Sequence, residues 1–117
     1  MYLSKVNINK DFKKELYSEQ SYQYIGDDYW DWSIWIESKD EKVLDHIKSV
    51  TYHLHPTFPV PVRTTTNRNE KFILETSGWG TFTIYIVVNF WDESIVELSH
   101  KLVLKYPQES LVIRKKK

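Results

Sequence analysis

Cysteine is absent from all 117 residues, which removes a disulfide framework, a thiolate zinc site and a thiol nucleophile together. A chain without thiols fits a reducing, cytoplasmic setting. Glycine occurs three times and proline four, too few for a flexible linker, and no repeat or low-complexity segment appears beyond the terminal lysines. No apolar run approaches the roughly 20 residues of a membrane helix, and the N-terminus lacks the order of a signal peptide, so the expectation is a soluble chain with no membrane partner. Charge of one sign is also missing. Sixteen basic and sixteen acidic residues cancel, leaving no global field to draw nucleic acid. A nucleophile elbow, a phosphate-cradling glycine loop and a paired-carboxylate arrangement are all lacking. Catalysis is therefore the least supported class, and no cofactor is called for.

What the chain does contain is period-two patterning. A chain of this length fits one domain spanning 1–117, with residues 1–20 read as a lead-in and 113–117 as a basic tail. From about Tyr22 onward, β-branched and aromatic residues alternate with polar ones, which favours strands. Trp30, Trp32, Ile34 and Ile36 share one face, opposite Asp31, Ser33 and Trp35. Val50, Tyr52 and Leu54 oppose Thr51, His53 and His55. Phe82, Ile84, Ile86, Val88 and Phe90 form a third inward row, and Val96, Leu98, Leu102 and Leu104 a fourth, with a closing strand expected near Leu111 to Ile113. Short strands separated by turn signals predict an all-β sandwich. Two segments fit less well. Asn9 to Leu16 suits either a short helix or a frayed lead-in. Glu41 to Lys48 places Val43, Leu44 and Ile47 at helical spacing but is read as a loop leading into a strand.

Several clusters have simpler readings than function. His53 and His55 stand two apart on a strand face, as a metal pair would, yet no carboxylate or further histidine completes a recognisable set, so no metal is called. Asp27, Asp28 and Asp31 lack the closing glutamate of a calcium loop and read as a solvated turn. Trp32 reads as the core tryptophan, whereas Trp35, Tyr85 and Trp91 are candidates for an outer contact surface.

Two segments carry more information than the rest: Leu54-His55-Pro56-Thr57-Phe58-Pro59 running on to Arg63, and Ser77-Gly78-Trp79-Gly80-Thr81-Phe82 opening an alternating strand. Together they resemble the two pocket loops of a YEATS domain, a family that reads acylated lysine between two loops of an immunoglobulin-like sandwich. Trp30-Asp31-Trp32 is similar to the family's His-Asp-Trp start, and the resemblance runs from about Asp28 to Val103. Threonine at 57 in place of serine, and Asn69-Glu70-Lys71-Phe72 where eukaryotic members carry Pro-Pro-aromatic, make the chain most similar to a prokaryotic YEATS domain.

The resemblance implies an immunoglobulin-like β-sandwich of about seven or eight antiparallel strands. It also implies a non-enzymatic reader in which Phe58 and Trp79 sandwich a flat acyl amide, Thr57 and the Trp79 backbone N–H bond it, Phe82 lines the deep end and His55 orients the first loop. Stacking on such rings contributes on the order of 1 kcal/mol beyond buried area. Gly78 and Gly80 are read as permitting backbone conformations closed to other residues, and Thr81 completes the loop. The implied partner is an acylated lysine peptide or another protein, with the oligomeric state left open. The alternative is a prokaryotic protein-interaction or sensor domain that uses the same sandwich without binding acyl-lysine.

Overall fold

The computed structural model describes residues 15–107. The expected closing strand at Leu111 to Ile113, the basic tail and most of the Asn9 to Leu16 segment lie outside them. Seven strands run in the order β1 (Leu16–Gly26), β2 (Tyr29–Ser38), β3 (Ile47–His53), β4 (Val62–Thr65), β5 (Leu74–Gly78), β6 (Thr83–Phe90) and β7 (Ile95–Lys101). They form a three-stranded sheet ordered β1-β2-β5 and a four-stranded sheet ordered β4-β3-β6-β7, every pairing antiparallel. The molecule is an all-β sandwich with an immunoglobulin-like layout.

The core forms because each central strand spends alternate residues on it. Trp32, Ile34 and Ile36 of β2 face Val50 and Tyr52 of β3 and Ile84, Ile86 and Val88 of β6, all buried in one cluster. Each large apolar side chain removed from water contributes roughly 1.5–3 kcal/mol. The Tyr52 hydroxyl donates to the Phe72 carbonyl at 2.8 Å, so the one phenol in this core is satisfied, and burial pushes its pKa far up.

Two boundaries differ from the sequence reading. β1 begins at Leu16, inside the segment taken as lead-in. Its pairing with β2 runs from Leu16 opposite Ser38 to Gly26 opposite Tyr29, and cross-strand pairing holds the polar stretch Ser18–Ser21 extended where its own composition gave no strand signal. Glu41–His46 is a short 3-10 helix, not a loop. The Asp40 carboxylate accepts the Lys42 N–H at 3.0 Å and caps it, while Val43 and Leu44 turn into the core. The helical spacing of Val43 and Leu44 with Ile47 pointed to this turn, although Ile47 itself opens β3.

The β1–β2 turn places Asp27 and Asp28 at φ 56° and 60°, the left-handed pair that tight hairpins require and that aspartate tolerates. Asp28 is more than a solvated turn residue: its carboxylate accepts the Tyr106 hydroxyl at 2.7 Å. Tyr106 also packs with Tyr24 and Trp30, ring centroids 5.0–5.4 Å apart, and the Trp30 indole donates to the Lys105 carbonyl at 2.9 Å. The segment after β7 is thereby strapped onto the hairpin of the opposite sheet.

A second tie crosses between the sheets at His100. Gln20 accepts the Val103 N–H through Oε1 and donates to the Val103 carbonyl through Nε2, which fixes its amide orientation. His100 Nε2 must then donate to Gln20 Oε1 at 2.7 Å, and Nδ1 accepts the Ser18 hydroxyl at 2.7 Å. Burial pushes the imidazole pKa below its ordinary 6.5, against a smaller upward pull from Glu19.

Candidate functional site

The residues joining β3 to β4 form the first wall. Leu54 N–H donates to the Pro61 carbonyl at 2.7 Å, closing the loop at its base, and Phe58 N–H donates to the His55 carbonyl at 3.0 Å across a turn with Pro56 second. His55 Nδ1 accepts the Thr57 backbone N–H at 3.2 Å. That nitrogen therefore carries no proton, and its 3.0 Å contact with Thr57 Oγ1 is a bond donated by the hydroxyl. The hydroxyl proton is spent on His55, and the oxygen's lone pairs stay available to accept. His55 orients the loop by this route.

Phe58 is half-buried against the core. Its ring meets Trp32 nearly perpendicularly at 6.4 Å and Phe82 at 5.5 Å, and the Arg63 guanidinium lies 5.9 Å from its centroid. Arg63 is itself pinned by a 2.6 Å bond to the Val60 carbonyl.

The second wall is the crossing from β5 in one sheet to β6 in the other. Trp79 stands there 67% exposed, followed by Gly80, Thr81 and Phe82; the Phe82 carbonyl accepts the Leu102 N–H at 3.0 Å. The glycines do not act as the sequence reading held. Among the described residues Gly26 is the glycine with positive φ, and neither Gly78 nor Gly80 has one. What matters at 78 is the missing side chain: a Cβ there would stand 3.5 Å from Phe58 Cζ, whereas at Gly80 it would meet open space.

All eight expected residues, His55, Thr57, Phe58, Gly78, Trp79, Gly80, Thr81 and Phe82, line one cleft of about 220 Å³, together with Tyr29, Pro59 and Ser77. Tyr29 was not anticipated. It reaches the cleft because Trp30 pairs with Gly78, a register no local motif announces. The volume lies below the roughly 300–1,000 Å³ typical of sites for drug-sized ligands. No aspartate, glutamate, lysine or arginine lines it. Among the described residues no group of three histidine, cysteine, aspartate or glutamate side chains could hold a metal, and the His53 ring packs on Tyr85.

The outer tryptophan surface does not assemble. Trp35 projects from β2 in the three-stranded sheet and its indole bonds Glu37 at 2.9 Å. Tyr85 projects from β6 in the other sheet, and Trp91 sits beyond that strand's end. Trp35 and Tyr85 are thus on opposite faces of the sandwich.

With this geometry in view, a family model described as prokaryotic YEATS domain matches residues 30–103. The chain belongs to the prokaryotic YEATS domain family. Among curated relatives, this YEATS domain is 36% identical over 77 residues to Protein AF-9 homolog of Candida glabrata, covering 62% of this chain and 34% of that protein. It is 35% identical over 77 residues to its Saccharomyces cerevisiae counterpart, covering 62% and 33%. The chain thus spans about a third of those relatives' length. Among solved structures, the Yaf9 YEATS domain bound to H3K27ac superposes with a TM-score of 0.64 at 23% identity, covering 87% of this chain and 95% of that one, a likeness of fold. The Yaf9 YEATS domain recognizing an H3K122suc peptide gives 0.57 at 29% identity, covering 77% and 69%. No helix among the described residues is long and apolar enough to cross a membrane.

Proposed function

We propose that this YEATS domain is a non-enzymatic reader of acylated lysine, acting in the cytoplasm on a peptide or protein partner. The observation that carries the reading is an aromatic cleft without formal charge. An unmodified lysine would bring an ammonium into a site with no carboxylate to offset its desolvation, and the Arg63 guanidinium, 5.9 Å from the Phe58 ring centroid, adds charge of the same sign nearby. Acylation removes the charge and leaves a planar amide, one donor and one acceptor. Phe58 and Trp79 offer rings to that plane. The Thr57 oxygen, with its own proton engaged by His55, accepts the amide N–H, and the Trp79 backbone N–H is the donor for the acyl carbonyl. The Yaf9 domain bound to H3K27ac and the one recognizing an H3K122suc peptide support the ligand class.

The test is a two-dimensional NMR titration with acetyl-, crotonyl- and unmodified-lysine peptides. Saturable shifts of the Trp79 indole signal with the acylated peptides alone are expected. Equal response to the unmodified peptide, or silence from all three in a folded spectrum, overturns the reading.

A further inference from the structure

Tyr29 lines the cleft yet is 42% exposed, so burial of its own ring does little to place it. Its two chain neighbours do. The Asp28 carboxylate accepts the Tyr106 hydroxyl at 2.7 Å. The Trp30 indole donates to the Lys105 carbonyl at 2.9 Å, and its ring centroid lies 5.0 Å from that of Tyr106. Two consecutive residues of the segment after β7 thus hold the chain on either side of Tyr29. That segment also starts from the cleft, because Leu102 N–H donates to the carbonyl of Phe82, itself a cleft residue. Neither Lys105 nor Tyr106 lines the cleft.

The hairpin turn shows which side chain matters. Gly26 pairs with Tyr29, leaving Asp27 and Asp28 as a two-residue loop at φ 56° and 60°. Such loops favour glycine at the second position, where a positive φ costs it nothing. Aspartate at 28 forgoes that advantage. Its backbone N–H donates to the Tyr24 hydroxyl at 3.1 Å, a bond that glycine would also make. The bond from Tyr106 is what the side chain adds.

Resting on the acyl-lysine reading, we propose that Tyr106 is a positioning residue for the cleft: through its bond to Asp28 it fixes the hairpin tip, and with it the Tyr29 ring against the bound acyl-lysine. Affinity then depends on a segment that does not touch the ligand.

Calorimetry with one acetyl-lysine peptide tests this. Tyr106→Phe removes the donor while keeping the ring, and Asp28→Gly removes the acceptor while giving the turn its favoured residue. Each should weaken binding about three-fold, the yield of one net hydrogen bond. Asp28→Asn keeps an acceptor oxygen and tolerates the left-handed conformation, so it should bind as the wild type does. In a Tyr29→Ala background, Tyr106→Phe should have no further effect, because the ring it positions is gone. Three results overturn the proposal and leave the acyl-lysine reading standing: wild-type affinity in Tyr106→Phe and Asp28→Gly, an Asp28→Asn loss equal to that of Asp28→Gly, or a Tyr106→Phe loss that persists without the Tyr29 ring. A wild type that binds no acylated peptide defeats the two together.

Discussion

Trp79 and Phe58 look equivalent as a pair of aromatic loop residues, yet their surroundings separate them. Trp79→Ala removes a largely exposed ring, so binding should disappear while the unfolding free energy changes by no more than the ±0.5 kcal/mol typical of surface substitutions. Phe58 packs on Trp32 and Phe82, and Phe58→Ala should cost about 1–3 kcal/mol in denaturant unfolding as well as abolishing binding. A Trp79→Ala loss of that size would place the ring in the core instead. Tyr52→Phe offers a third residue-scale test: it strands the Phe72 carbonyl and should cost about 1–3 kcal/mol by the same assay. The eight expected cleft residues were legible because a compound loop motif names them. Tyr29 was not, since its approach depends on a pairing between residues 48 positions apart, Trp30 and Gly78. The glycines misled because residue type alone does not distinguish a need for positive φ from a need for no side chain.

At the level of elements, alternation made β2, β3 and β6 readable, because each has a buried face and an exposed one that leave a period of two in the sequence. It failed for the first half of β1, where the register with β2 enforces extension on a polar segment. In Glu41–His46 a helical spacing over so few residues competed with the loop reading. Leu44, wholly buried in that turn, gives a direct check: Leu44→Ala should lower unfolding free energy by about 2–5 kcal/mol, as for a core leucine and unlike a loop residue. The cross-sheet tie at His100 makes a pH prediction. Its folded pKa lies below the ordinary 6.5, so the unfolded chain binds more protons between the two values and stability falls as pH drops from about 6.5 toward the folded pKa. Thermal melts across that window should show the decline, and His100→Gln should flatten it; an unchanged slope would remove His100 as its source.

Over the whole molecule, the cleft draws its two walls from different layers. His55 to Pro59 hang from the four-stranded sheet, Tyr29, Ser77 and Gly78 belong to the three-stranded one, and Trp79 rides the passage between them. A ligand held there should stabilise the native state by about 2.7 kcal/mol at a hundred times its Kd, readable as a rise in Tm that Trp79→Ala abolishes. The shared construction has a further consequence. Because the gap between the walls is inherited from the spacing of the two layers, a substitution that thins or swells the core between them changes the width offered to a guest without touching it. Binding strength in this domain is therefore also a caliper on its interior, and variants of the sandwich core should retune which acyl chains fit before they cost the fold its cooperativity.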